Sequence, residues 1–70
     1  MNIVYTAHAE DKIRDRKFKK VWIEEAIKYP DETIREGKNK YYTVKKLNGI
    51  TIEVVYEKER YIKVITVYPL

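Results

Sequence analysis

Two segments near the N-terminus repeat their apolar residues every three or four positions, which is the spacing of an amphipathic helix. The first covers residues 7–17, where Thr6 is a suitable N-cap and Ala9 and Ile13 fall on one face. The second covers residues 21–29 and ends before a proline, because the residue that precedes proline is disfavoured in the α conformation. The pattern therefore predicts two consecutive helices.

Apolar and polar residues alternate in most of the remaining chain, as they do in strands with two differently exposed faces. The strands predicted from this pattern cover residues 2–5, 32–36, 40–47, 50–57 and 61–68. Asn48 and Gly49 fit a two-residue type I′ hairpin turn between the third and fourth of these strands. On the last strand, strict alternation puts four residues on each face, with Ile62, Val64, Thr66 and Tyr68 opposite Tyr61, Lys63, Ile65 and Val67.

The order of these elements predicts an α+β domain, (β)ααββββ, that occupies the whole chain, residues 1–70. Two N-terminal helices are expected to cover one face of a small antiparallel sheet. Seventy residues leave no room for a second core. Val and Ile occur on both faces of the last two strands, as expected for central strands of the sheet. Alternatively, the face without helices is a partner interface.

Composition restricts the chemistry that the chain can perform. It has no cysteine and a single histidine, which excludes disulfides and thiol nucleophiles and argues against a structural zinc site. We therefore expect no metal and no cofactor. The start of the chain lacks the features of a signal peptide, and no apolar run approaches the ~18 residues of a membrane span. These observations predict a cytoplasmic protein without a membrane partner, and the 37% charged residues are typical of a thermophile.

Positive charge is concentrated in residues 12–20, which hold six Lys or Arg and one Asp, a local charge of 6 − 1 = +5. The whole chain carries +4, which favours an anionic partner such as nucleic acid or an acidic protein. His8 lies on the helix in which this cluster begins, and a histidine beside clustered cations is consistent with a site that faces phosphate. The same pattern also fits a solvated helix surface whose histidine only packs.

Several motifs are similar to those of a known family. Residues 8–18 read H-A-x-x-K-I-x-x-R-x-F, which resembles the H-A-x-x-R-M-x-x-R-x-I opening of a family of small domains of unknown function. That family is grouped with the BrnT-type and RelE/ParE-type toxins of toxin–antitoxin systems. The similarity continues through I-x-x-A-I-x-x-P-D-x-x-I at 23–34, K-Y-Y at 40–42 and V-I-T-V-Y at 64–68. Lys12 departs from the motif, where Arg is usual, and so cannot make a bidentate contact with phosphate.

The resemblance implies a RelE/ParE-like fold and an RNA partner, bound free or on the ribosome. RelE-like toxins cleave RNA, so a metal-independent endoribonuclease is the first functional expectation. Such cleavage needs a base, an acid and cations at the phosphate. For this reaction we propose His8, Arg16 and Tyr68 of this chain as the catalytic residues. We propose Lys12, Arg14, Lys40, Tyr41 and Tyr42 for RNA or phosphate binding.

A binding module without catalysis is the alternative. It would pair with a cognate antitoxin or form a homodimer, and would bind nucleic acid through its basic face. Tyrosines in strands often only pack across a sheet, and one histidine lacks the second imidazole that many metal-free ribonucleases use. An enzyme should gather at least three of four side chains around one open pocket, whereas a module should scatter or pair them; the four are His8, Arg16, Tyr42 and Tyr68.

Overall fold

A computed structural model of the chain describes residues 2–70. Its elements are β1 (Ile3–Tyr5), α1 (Ala7–Arg16), α2 (Lys20–Lys28), β2 (Glu32–Glu36), β3 (Lys40–Leu47), β4 (Ile50–Lys58) and β5 (Ile62–Pro69). The α+β class and the order of elements are confirmed, and each boundary lies within one residue of its prediction. No helix of this part of the chain is long and apolar enough to cross a membrane.

Helix α1 is closed at both ends by local hydrogen bonds. Its N-cap is Thr6, whose hydroxyl accepts a hydrogen bond from the Ala9 N–H at 3.0 Å. It ends at Lys17, which adopts the left-handed conformation with a φ of 57°. The Phe18 N–H then donates to the Ile13 carbonyl at 2.9 Å, which satisfies one of the last carbonyls and turns Phe18 into the core.

The five strands form one sheet in the order β1-β5-β4-β3-β2. Strands β2, β3, β4 and β5 pair with one another in antiparallel orientation, as predicted. Strand β1, at the edge, pairs in parallel with β5. The sheet is therefore mixed rather than wholly antiparallel. The parallel pairing at this edge places the end of β1, and hence the start of α1, beside the middle of β5.

The turn between β3 and β4 lies where it was predicted but is of a different type. Leu47 pairs with Ile50, which leaves Asn48 and Gly49 as the two-residue connection. Within residues 2–70 only Gly49 of these two has a positive φ, at 84°. A type I′ turn needs a positive φ at both positions, so that assignment is wrong, and glycine with a positive φ at the second position is characteristic of a type II turn.

The core lies between the two helices and one face of the sheet. Its buried residues on the helix side are Ala9, Ile13, Phe18, Ile23, Ala26 and Ile27, and those on the sheet are Ile52, Val54, Tyr56, Ile62, Val64 and Val67. The strand register places a different set of residues of β2 to β5 on the other side of the sheet, which we call the helix-free face. It comprises Glu32, Ile34, Glu36, Lys40, Tyr42, Val44, Lys46, Thr51, Glu53, Val55, Glu57, Lys63, Thr66 and Tyr68.

Strand β5 contains a β-bulge. Thr66 pairs with Val55 on β4, yet Val64 pairs with the next residue of β4, Tyr56. Ile65 is therefore an extra residue without a partner of its own. A bulge shifts the alternation of side chains by one residue, so the strand changes phase at this point.

The bulge overturns the strict alternation predicted for the last strand. Val67 is 0% exposed and packs in the core together with Val64. Thr66 and Tyr68, which the alternation placed on the same side as Val64, lie on the helix-free face instead. The apolar pattern alone could not reveal this shift, because Ile65 and Val67 are both compatible with a buried position.

Candidate functional site

His8 lies in the first turn of α1, at the point where this helix is attached to β5. The Thr6 N–H donates to the Val64 carbonyl and the Thr6 hydroxyl donates to the Ile65 carbonyl, each at 3.0 Å. This attachment holds the exposed imidazole of His8 beside the bulge, where its Nε2 is 3.1 Å from Thr66 Oγ1. His8 therefore adjoins the edge of the helix-free face.

Arg16 does not share this location with His8. His8, Lys12 and Arg16 follow at four-residue steps, so they form a stripe along one side of α1. At a rise of about 1.5 Å per residue, His8 and Arg16 lie about 12 Å apart along the helix axis, more than two turns. Arg16 is exposed, and no side-chain hydrogen bond or ion pair joins it to another described residue.

Two of the six cations in residues 12–20 are paired with carboxylates of α1. Arg14 Nη2 is 3.0 Å from Asp11 Oδ1, and Arg14 Nε is 3.8 Å from Asp15 Oδ1. Lys20 Nζ is 3.1 Å from Glu10 Oε2. Arg14 was predicted to bind phosphate, but in the structure it would have to leave these partners to do so.

The other four cations in residues 12–20 have no such partner. None of the four has a carboxylate oxygen within 4.0 Å among residues 2–70. Three are exposed and Lys12 is half-buried. We call this set the basic surface: Lys12, Arg16, Lys17 and Lys19.

Both tyrosines of the predicted site that lie on the helix-free face already have a partner. The Tyr42 hydroxyl donates to Glu36 at 3.3 Å, and the Tyr68 hydroxyl donates to Glu53. Lys40 Nζ is 5.5 Å from the ring centre of Tyr42. A hydrogen bond with Tyr42, supported by the charges around it, raises the pKa of the Lys40 ammonium. The two tyrosine hydroxyls thus bind glutamates of neighbouring strands, whereas Lys40 and Tyr42 interact within β3.

Tyr41 lies on the opposite side of the sheet from Tyr42, because neighbouring residues of a strand point to opposite faces. Its ring stacks on Tyr56 with a centre-to-centre distance of 5.2 Å and an interplanar angle of 15°. The Arg35 guanidinium is 5.8 Å from the Tyr41 ring centre. Tyr41 is thus a packing residue of the helix-covered face and does not join the other predicted site residues.

The charge of the helix-free face differs from that of the basic surface. Three lysines and four glutamates lie on it, a sum of 3 − 4 = −1. Lys63 Nζ is 3.4 Å from Glu57 Oε1. Residues 2–70 enclose no pocket, and they contain no group of three or more His, Cys, Asp or Glu that could hold a metal ion. Tyr42 and Tyr68 therefore lie on an open surface rather than around a cavity, and His8 adjoins the edge of this surface.

Tyr5, which was not among the predicted site residues, has an unusual environment. Its hydroxyl is buried and has no hydrogen-bond partner among the described residues. Lys20 Nζ is 4.6 Å from its ring centre. Burial, and then the charges of Glu24 and Glu10, raise the pKa of the Tyr5 hydroxyl. Its position on a short apolar strand gave no sign of this.

Comparison with known proteins identifies a family but no function. Residues 5–69 match the family described as "Domain of unknown function (DUF4258)". No curated protein and no solved structure matches the chain. The matched region includes both helices and four complete strands, so the chain belongs to the DUF4258 family of domains of unknown function.

Proposed function

We propose that this chain is an RNA-binding module without catalytic activity, which contacts the phosphate backbone through the basic surface. The carrying observation is that Lys12, Arg16, Lys17 and Lys19 have no carboxylate partner among residues 2–70. Lys12, Arg16 and Lys17 can bind phosphate and release its counterions without first giving up a protein partner. Arg14 and Lys20 lack this advantage, because each is already paired. Lys19 Nζ lies 6.0 Å from the ring centre of Trp22, and this aromatic contact leaves it without a carboxylate.

The arrangement of these cations suits a chain of phosphates better than a single one. Lys12 and Arg16 lie one helical turn apart on α1, and Lys17 and Lys19 extend the charge into the connection to α2. Arg16 can form a bidentate contact, whereas the lysines act as point charges. We therefore expect RNA binding that depends strongly on salt and little on sequence.

Three features support binding rather than cleavage. His8 and Arg16 lie more than two turns apart on α1, the hydroxyls of Tyr42 and Tyr68 donate to glutamates, and residues 2–70 enclose no pocket. The reagents of a ribonuclease would have to meet at one phosphate. Instead, the groups nearest to His8 form part of an open sheet surface.

Endoribonuclease activity is the second candidate, and one observation favours it. His8 is exposed, and its Nε2 is 3.1 Å from the Thr66 hydroxyl, which could orient the imidazole toward a substrate. The relation to BrnT-type and RelE/ParE-type toxins, and with it a cognate antitoxin, rests on the resemblance of the motifs. Both belong to this second candidate.

The proposal is tested by the salt dependence of RNA binding. Fluorescence anisotropy of a labelled single-stranded RNA would be measured over a salt series for the wild type and two variants. One replaces the four cations of the basic surface with Gln. The control replaces four cations elsewhere with Gln and so removes the same formal charge: Lys28, Lys38, Lys58 and Arg60.

Each phosphate contact contributes about 0.7 to the slope of log K against log salt for a single strand. Four contacts predict a slope of about −2.8, which the basic-surface variant should largely lose and the control variant should largely keep. Equal losses in both variants would mean that net charge alone governs binding. A wild type that does not bind RNA would refute the proposal.

A cleavage assay separates the two candidates. The wild type and a His8→Ala variant would be incubated with RNA, with EDTA and without it, and the products resolved on a denaturing gel. We expect intact RNA in every sample. Cleavage by the wild type that His8→Ala abolishes would establish the endoribonuclease, and cleavage that EDTA abolishes would indicate a metal-dependent enzyme.

A further inference from the structure

We propose that the helix-free face is the interface of a homodimer, in which two copies pack face to face about a twofold axis parallel to the strands. The other face of the sheet is already covered by α1 and α2. The inference does not depend on RNA binding, because it uses residues outside the basic surface. It rests on the order of charges and apolar groups across the four strands.

One row of side chains alternates in charge from strand to strand. The register pairs Lys63 with Glu57, Glu57 with Lys40, and Lys40 with Glu36, from β5 across β4 and β3 to β2. The signs along this charged row are therefore plus, minus, plus, minus. Within one copy these neighbours attract each other, and Lys63 Nζ is 3.4 Å from Glu57 Oε1.

An alternating row with an even number of charges is complementary to its own reverse. A twofold axis between β3 and β4 would lay the row of one copy over the reversed row of the other. Lys63 would then face Glu36 of the second copy, and Glu57 would face Lys40 of the second copy. Every charge of the row meets an opposite charge, as an isologous interface requires.

The neighbouring row provides the apolar centre of the same interface. It consists of Thr66, Val55, Tyr42 and Ile34, which are paired across the same four strands. About the same axis, Ile34 would pack on Thr66 of the second copy. Val55 would lie beneath Tyr42 of the second copy, but it is only 4% exposed in the single copy and adds little new contact. Ile34 is 65% exposed in the single copy, so it has apolar surface to bury. Two sheets packed in this way form an aligned sandwich about 10 Å apart.

A third row, at the other margin, allows the same arrangement. Tyr68 would lie over Glu32 of the second copy, and Glu53 over Val44. Glu53 accepts a hydrogen bond from the Tyr68 hydroxyl of its own chain, so its carboxylate keeps a partner when the face is covered. This row adds contact area but not charge pairing.

The size of the face sets the strength that we expect. Strands β2 to β5 are 5, 8, 9 and 8 residues long. With strands about 4.8 Å apart and a rise of about 3.4 Å per residue, they present roughly 500 Å² in projection per copy. This lies below the ~800 Å² per partner of a standard stable interface. The dimer should therefore dissociate in the micromolar range and weaken as salt screens the charged row.

Charge exchange at one contact tests the geometry. Sedimentation velocity through the micromolar range should show a concentration-dependent dimer for the wild type. Lys40→Glu would oppose Glu57 of an identical copy, and Glu57→Lys would oppose Lys40, so each variant alone should associate at least about tenfold more weakly. An equimolar mixture restores every opposite pair, and it should form a heterodimer about as stable as the wild-type dimer.

Two controls keep the test independent of folding and of net charge. Lys58→Glu and Glu59→Lys make the same exchanges outside the helix-free face and should leave the dimer intact. Circular dichroism would show that the Lys40→Glu and Glu57→Lys variants keep their secondary structure. A wild type that stays monomeric, a single variant that dimerises like the wild type, or a mixture that fails to associate would each overturn the proposal.

Discussion

The basic surface and the helix-free face both carry several cations, but they differ in where the carboxylates lie. On the basic surface the four cations are close in sequence and have no acidic partner within 4.0 Å among residues 2–70. On the helix-free face three lysines stand beside four glutamates that come from neighbouring strands. The difference arises because a helix takes its neighbours from one segment, whereas a sheet takes them from several.

The presence or absence of carboxylates beside the cations should affect which partners each surface attracts more than it affects the stability of the fold. Ion pairs at the surface, such as the half-buried pair of Lys63 with Glu57, contribute only about 0–1 kcal/mol to folding. A set of cations without nearby carboxylates attracts a polyanion. A row of alternating charges is instead complementary to the same row of a second copy when that row runs in the opposite order. The two proposals therefore assign different partners to the two surfaces, RNA to the basic surface and a second copy of the chain to the helix-free face.

The prediction with the largest expected effect concerns the free energy of unfolding. It tests whether the helix-free face contributes little to the stability of a single copy. Ile52 is 0% exposed under the helices, and Ile34 is 65% exposed on the opposite face. Ile52→Ala should lower the free energy of unfolding by about 2–5 kcal/mol, because it removes core contacts and leaves a cavity. Ile34→Ala should change it by no more than about 0.5 kcal/mol.

Urea unfolding at a protein concentration well below the expected dissociation constant would measure both changes on the single copy. Repeating the measurement at high concentration should reveal an added loss for Ile34→Ala, because dimerisation stabilises the folded state by mass action. If Ile34→Ala were as harmful as Ile52→Ala in dilute solution, the helix-free face would have to be part of the core.

A prediction of intermediate size concerns the salt dependence of RNA binding. It compares an arginine that is paired with a carboxylate and one that is not, both on α1. Arg14 lies 3.0 Å from Asp11, whereas Arg16 has no carboxylate within 4.0 Å among the described residues. Arg16→Gln should reduce the salt slope of RNA binding by about 0.7, and Arg14→Gln should leave it unchanged, because the slope counts phosphate contacts. Anisotropy titrations at several salt concentrations would measure both slopes, and equal reductions would remove the distinction between these residues.

Most of the fold could be predicted because its signals are local. The N-cap Thr6, the period of the two helices, and the alternation on β3 and β4 each depend on residues close in sequence. The bulge at Ile65 could not be predicted in this way, because it is a relation between β4 and β5. The parallel pairing of β1 with β5 is also a relation between distant segments.

The candidate site was predictable only in part, for the same reason. The helix pattern placed His8 on α1, but the contact of His8 with Thr66 depends on the bulge. Alternation already separated Tyr41 from Tyr42, so assigning both to one RNA site was inconsistent with the predicted strand. The glutamate that accepts from Tyr42 lies on a neighbouring strand, and only the register brings it there.

The smallest expected effect contrasts tyrosines on the two sides of the sheet. The Tyr5 hydroxyl is buried without a partner among residues 2–70, while the Tyr68 hydroxyl donates to Glu53. Tyr5→Phe should raise the free energy of unfolding by up to about 1 kcal/mol, and Tyr68→Phe should lower it by about 1 kcal/mol. Urea unfolding at neutral pH would show the opposite signs, and a loss of stability in both variants would mean that Tyr5 has a partner.

The stability of the protein at high pH gives a second test of the environment of Tyr5. The pKa values of Tyr5 and Tyr56 are raised, chiefly by burial. Below about pH 10 both hydroxyls keep their protons in the folded and unfolded chains, so stability is unaffected. As the pH rises further, the unfolded chain ionises first, and the free energy of unfolding falls until the folded hydroxyls ionise too. Tyr5→Phe should make this fall shallower, because it removes one of the groups with a raised pKa and leaves Tyr56 and Lys40 to contribute. An unchanged alkaline slope in urea titrations would exclude Tyr5 as a source of the fall.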